Sequence, residues 1–144
     1  MEGAQPQILI CHVNGSRALL GSISHVLRKN GYLPQDTNGK TGFKTAAADI
    51  THSAAIILII DSALKGAESL DLLLSACRRG AVRLIGIWSP GAKDEHLPDQ
   101  FAYYGNALMC WIPEELISVI KGKMIWENSE CKQPDERQIS HLGC

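Results

Sequence analysis

"DITHSAAIILIIDSALKGAESLDLLLSACRRGAVRLIGIW" (Asp49–Trp88) decides the fold of this chain. It holds two largely apolar runs, "AAIILIID" and "VRLIGIW", each too short for a buried helix and rich in β-branched residues. Runs of this kind read as strands covered on both faces, and the first belongs at the centre of a sheet. Between them, Leu70, Leu73, Leu74 and Cys77 recur at helical spacing from Ser69 to Arg79, with Gly80 as the stop. A strand–helix–strand unit of this length implies parallel pairing. One strand ends in Asp61-Ser62 and the other in Trp88-Ser89, while Glu68 and Asp71 open the helix. Whether those polar residues form a site or only the rim of a sheet is the functional question.

The pattern continues outward. "QILICHV" (Gln7–Val13) reads as a buried strand bounded by "NGS". Leu19, Leu20, Ile23, Val26 and Leu27 form the apolar stripe of a helix from Ser16 to Asn30, capped by Asn14 or Ser16 and stopped by Gly31. "YLPQD" is a second strand, and its Pro34 assigns it to an edge. "TNGKTG" reads as a flexible turn, and "FKTAAADITHS" as a short helix with Phe43, Ala47 and Ile50 on one face. "ALMCW" is a fifth strand, followed by a helix opened by Pro113, Glu114 and Glu115 and closed by Lys121 and Gly122. The expectation is an α/β domain: a five-stranded parallel sheet in the flavodoxin-like order 2-1-3-4-5, with helices on both faces. Residues 1–125 form that domain, and 126–144 form a polar tail that packs as an extra strand, a short helix or not at all.

The 144 residues are 45% hydrophobic and 20% charged, with a net charge of −1, so a nucleic acid or an anionic membrane is not an expected partner. No apolar run approaches the ~18 residues of a membrane span. "MEGAQPQ" has no basic start and no apolar signal segment, which sets the expectation of a cytoplasmic protein. The five cysteines (Cys11, Cys77, Cys110, Cys131, Cys144) include no CxxC and read as unpaired thiols in a reducing compartment. Cys131, His141 and Cys144 are too loosely spaced for a zinc site, so no metal is expected.

In a sheet of this order a ligand sits at the carboxyl ends of the strands, where the order switches between strands 1 and 3. That rule selects His12, Asn14, Gly15, Ser16 and Arg17, a Gly-containing loop entering a helix and suited to a phosphate. It also selects Asp61 and Ser62, and Trp88 and Ser89. His12 is the candidate acid or base, with capping as its ordinary role. Trp88, Tyr103 and Tyr104 are candidates for a wall on which a base stacks, core packing being their ordinary role. Glu68 and Asp71 are candidate catalytic acids able to stabilise an oxocarbenium-like centre, or solvated acids that complement the helix dipole. The 18 residues from Ser89 to Asn106 are long for a connection, and Phe101, Tyr103 and Tyr104 give them something to bury. They read as an ordered lid carrying a short helix.

Over residues 7–122 the layout resembles TIR domains and nucleoside deoxyribosyltransferase-like proteins. The resemblance rests on Ile50 and Ser53 before "AIILII", on Ala76 and Gly80 before "VRLIGIW", and on the long connection "SPGAKDEHLPDQFAYYGN". It implies recognition of NAD or a related nucleotide, as ligand or substrate rather than cofactor, and cleavage of its N-glycosidic bond in defence signalling. The position matching the TIR catalytic glutamate is Leu72, with Asp71 adjacent and Glu68 one turn earlier.

The chain also resembles receiver domains of response regulators. "ILI" with "SRALLGSISHVLRKNGY" is similar to a receiver's first strand and helix, and "GNALMCWIPEEL" to its last. Asp61 falls where the phosphoacceptor would be and Ser89 where the hydroxyl residue would be. The metal-binding acid pair is replaced by Cys11-His12, and the lysine before the last-loop proline by Ile112. This resemblance implies a phosphate-independent pseudo-receiver or a pure interaction module. Either resemblance implies self-association or a protein partner.

Overall fold

The computed structural model describes residues 5–38, 42–48 and 50–133. Five parallel strands, β1 (Gln7–His12), β2 (Leu33–Asn38), β3 (Ser53–Ile60), β4 (Arg83–Trp88) and β5 (Ala107–Cys110), form one sheet in the order β2-β1-β3-β4-β5. This is the expected flavodoxin-like order. β3 sits at its centre, and Ala55–Ile60 are buried without exception. Burial on both faces explains why that run lacks the apolar/polar alternation of a half-covered strand.

Alternate residues of β1, β3, β4 and β5 feed two separate cores. Leu9, Cys11, Ile56, Leu58, Ile60, Leu84, Trp88 and Leu108 pack under α2 (Phe43–Ala48), α3 (Leu70–Gly80) and α4 (Asp99–Tyr104). Ile8, Ile10, Ile57, Ile59, Ile85, Ile87 and Met109 pack under α1 (Arg17–Lys29) and α5 (Leu116–Ile120). Helices therefore cover both faces, as the periodicity predicts. Trp111 Nε1 donates to Ser22 Oγ across 3.0 Å and ties the end of β5 to α1.

Local details depart from the expectations in three places. "TNGKTG" is not wholly a turn, because Thr37 and Asn38 continue β2 beside Cys11 and His12, while residues 39–41 lie outside the described ones. Gly80 is the last residue of α3 rather than its stop, and Ala81, at φ 53°, takes the left-handed position beyond it. Third, the thiols are not all unpaired: Cys110 and Cys131 form a disulfide, with Cα atoms 5.6 Å apart. Cys11 and Cys77 are free and buried, and Cys144 and His141 lie outside the described residues.

β5 is not left as an open edge. Trp126 forms a parallel bridge with Leu108, and Leu108 exchanges backbone hydrogen bonds with Ile125 and Glu127. Among the described residues no helix is long and apolar enough to cross a membrane.

Candidate functional site

The carboxyl ends of β1, β3 and β4 converge at the switch in strand order, and His12 is the centre of what they build. It closes β1, is 7% exposed, and places Nε2 2.5 Å from Asp36 Oδ1 on neighbouring β2. Its Nδ1 accepts the Gly15 N–H across 3.3 Å. With Nδ1 accepting, the tautomer that satisfies both contacts is the one whose Nε2–H faces Asp36. Both ring nitrogens are therefore engaged within the protein. A Cβ on Gly15 would stand 3.1 Å from His12 Cβ and Cγ, so the absence of a side chain there lets the loop close over the ring.

The rest of the loop is committed in the same way. Ser16 adopts an extended conformation and its Oγ accepts the Leu19 N–H across 3.1 Å, which makes it the cap of α1. Asn14 and Arg17 are exposed beside it. Of the donors that would cradle a phosphate, the Gly15 and Leu19 N–H groups are already satisfied.

Asp61 follows β3 directly, and its Oδ1 accepts the Ala63 N–H across 2.9 Å, turning the carboxylate back onto its own loop. Ser62 is exposed. Ser89 follows β4, and its N–H donates to Ile60 O across 2.9 Å, holding the two strand ends together. So His12, Gly15, Ser16, Asp61 and Ser89 do gather at one end of the sheet, as the sequence implied.

Trp88, Tyr104, Glu68 and Asp71 take no part in that cluster. Trp88 is 5% exposed, packs within the α2/α3/α4 core, and donates Nε1–H to Glu127 O across 2.9 Å. It anchors the chain beyond α5 and offers no stacking wall. Tyr104 lies at the opposite end of the sheet, lining a hollow of about 430 Å³ with Arg83, the first residue of β4, and with Arg78, whose guanidinium stands 5.0 Å above its ring. The connection from Ser89 to Asn106 carries α4, as expected, but its tyrosines stand at the other end of the sheet from the crevice they were expected to wall. Six residues of helix run ~9 Å down the side of the sheet and carry the tyrosines away from the strand carboxyl ends.

Glu68 and Asp71 are exposed in the first turns of α3 and its approach. Asp71 lines a separate hollow of about 370 Å³ with Lys65, Leu70, Pro98, Asp99 and Gln100, which includes no residue of the His12 loop. The residues at the strand ends also fail the requirements of a hard divalent cation, which takes several oxygen ligands. Cys11 is fully buried, with its thiol pushed far above the ordinary range by desolvation. His12 is spent on Asp36 and Gly15, and Asp61 stands alone. Among the described residues no group of three or more His, Cys, Asp or Glu side chains could hold a metal ion.

Sequence reasoning missed Asp36 and Glu127. Asp36 pairs in register with Ile10, two residues before His12, and only the register of β2 against β1 brings the carboxylate to the ring. No pattern in "LPQDTN" signals that register.

No family model matches the chain, and no curated protein does. Solved structures do share its fold. A CheY-like response regulator receiver domain protein from Methanospirillum hungatei is 22% identical, with 82% of this chain and 92% of that one covered and a TM-score of 0.56. A chemotaxis protein, CheY4, from Vibrio cholerae is 13% identical over 82% and 98%, with a TM-score of 0.55. A putative pilus assembly-related protein from Burkholderia pseudomallei is 10% identical over 81% and 87%, with a TM-score of 0.57. At these identities the likeness establishes a receiver-like, flavodoxin-type fold.

Proposed function

We propose that this chain is a phosphate-independent pseudo-receiver, a signalling module that acts by binding another protein surface. The carrying observation is His12, a buried imidazole locked between Asp36 and Gly15 at the strand end where a receiver keeps its metal-binding acids. Phosphoryl transfer to an aspartate needs a cation to neutralise developing charge. Here the acid pair is gone, Ile112 stands in the lysine position, and Asp61 is turned into its own loop. What remains is a rigid α/β scaffold, and the receiver-like fold of the structural neighbours supports that use.

The nucleotide-cleaving reading has less to support it. It needs an acid and a stacking wall at one place, whereas Glu68 and Asp71 are exposed on the α3 side, Trp88 is in the core, and Tyr104 is at the far end of the sheet.

Incubation with acetyl phosphate and Mg²⁺, read by intact mass, tests the proposal. The expected result is no phosphoryl adduct. A stable adduct that disappears in Asp61→Asn would make this an active receiver and end the pseudo-receiver reading. Light scattering over a range of concentrations then tests the partner. Growth of a dimer identifies a second copy, and a strict monomer assigns the partner role to a different protein.

A further inference from the structure

The outer edge of β5 is covered by a short stretch of chain, and the cover is fastened at its far end. Leu108 N–H donates to Ile125 O across 3.0 Å, Glu127 N–H donates to Leu108 O across 2.8 Å, and Cys110 N–H donates to Glu127 Oε1 across 3.0 Å. Trp126 stacks on Phe101 with ring centroids 5.7 Å apart, and Glu127 O accepts from Trp88 Nε1. Beyond them a turn from Asn128 to Lys132 brings Cys131 back to Cys110. Asn128 Oδ1 organises that turn by accepting the N–H groups of Glu130 and Lys132.

We propose that the Cys110–Cys131 disulfide is a thiol–disulfide switch that latches the segment 125–132 over the edge of β5 and frees it when reduced. Three observations carry this. First, the cover contains elements that resist closure by themselves. Glu127 is a buried carboxylate (9% exposed) whose one side-chain partner among the described residues is a backbone N–H, and Cys131 has a left-handed backbone at φ 67°. Burying a polar side chain on a single hydrogen bond and holding a non-glycine residue in that region both cost free energy, which the covalent tie offsets. Second, the bond spans a sequence separation of 21, and a link of that length restrains a long loop. Third, the tie is within reach: Cys131 is exposed and Cys110 half-buried, whereas Cys11 and Cys77 are sealed in the core.

The reductant is a dithiol. Its thiolate attacks Cys131 Sγ, the S–S bond breaks, and Cys110 leaves as a thiolate that takes up a proton. The second thiol of the reductant then displaces Cys131 from the mixed disulfide. The protein gains two electrons and two protons, and the dithiol becomes a disulfide. Release exposes the N–H and C=O groups of Leu108 and the N–H of Cys110, an unpaired strand edge of the kind that accepts another strand. The switch stands on these contacts alone and holds whether or not Asp61 takes a phosphate.

Hydrogen exchange on the full chain tests it, in the oxidised protein, after dithiothreitol, and in Cys110→Ser/Cys131→Ser. Peptide mapping without reduction first establishes the Cys110–Cys131 link, and its absence in air-oxidised protein would overturn the proposal. Reduction should lower protection of the Leu108, Cys110 and Glu127 amides by about tenfold or more while Ile57 and Ile59 keep theirs. The double serine variant should match the reduced protein in both buffers, and re-oxidation of the wild type should restore protection. Unchanged protection at the three edge amides refutes the latch. An equal loss at Ile57 and Ile59 also refutes it, because the bond would then support the whole fold.

Discussion

His12 Nε2 and Asp36 Oδ1 stand 2.5 Å apart across the β1–β2 boundary, so the residue that closes β1 is held by a carboxylate on the outermost strand. Asp36→Ala leaves a buried N–H without its partner, which costs about 1–2 kcal/mol of stability. Urea denaturation should show a lower midpoint with an unchanged slope. An unchanged midpoint would mean that water replaces the carboxylate without loss.

The two core thiols make the fold sensitive to alkali. Burial pushes the Cys77 thiol from 9.0 up to about 12, and that of Cys11 in the same direction. In the unfolded chain both ionise near 9, so above that pH the unfolded state binds fewer protons than the folded one and stability falls as pH rises. Below pH 9 neither thiol contributes to the slope. The loss sets in around pH 9 and approaches about 1.4 kcal/mol per pH unit for each thiol between pH 10 and 11. Cys77→Ala should flatten that part of the stability–pH curve, whatever its cost at pH 7. A curve parallel to wild type would show that other groups set the alkaline limit.

Gly86 lies in β4 under the ring of Phe101, and a Cβ there would stand 2.7 Å from Phe101 Cζ and 2.9 Å from Leu108 Cδ1. Gly86→Ala should destabilise by about 1–3 kcal/mol through overpacking. Combining it with Phe101→Leu should recover part of that loss, because the smaller side chain vacates the space. Additive losses in the double variant would place the strain in the strand backbone and not against the ring.

Phe101 and the two tyrosines that follow it should behave oppositely. Phe101 is fully buried and stacked on Trp126, so Phe101→Ala should cost about 3–5 kcal/mol. Tyr103 is 77% exposed and Tyr104 40% exposed, with the Arg78 guanidinium over its ring, so replacing both tyrosines with alanine should cost under about 1 kcal/mol. Thermal denaturation distinguishes the two. A collapse in the tyrosine variant would make the Arg78–Tyr104 contact a structural anchor.

Arg83 opens β4 and closes α5. Its Nε donates to Val119 O across 2.7 Å and its Nη2 to Lys123 O across 2.8 Å, tying the start of β4 to the last turn of α5 and the chain just beyond it. Arg83→Met keeps much of the stem and removes both donors, for an expected loss of about 1–2 kcal/mol. Arg83→Lys should recover only part, since an ammonium does not reproduce the planar fork. Full recovery by lysine would mean that charge at the helix end, not the two directed bonds, is what matters.

What the sequence determined by itself was the order and identity of the elements. Apolar runs such as Ala55–Ile60 and stripes such as Leu70/Leu73/Leu74/Cys77 are local patterns, and burying them all in one layered domain leaves few topologies, of which β2-β1-β3-β4-β5 is the observed one. It also placed His12, Asp61 and Ser89 at strand ends, because a strand's carboxyl end is visible in the chain. Only the tertiary structure decided what those residues do. His12 meets Asp36 over 24 residues, Cys110 meets Cys131 over 21, and Trp88 meets Glu127 over 39. Each pairing depends on strand register, on which face a side chain takes, and on how the chain past α5 returns to β5. A shift of one residue in a strand reverses its faces while leaving its composition unchanged, so the apolar pattern that reveals a strand does not say which polar neighbour it will reach.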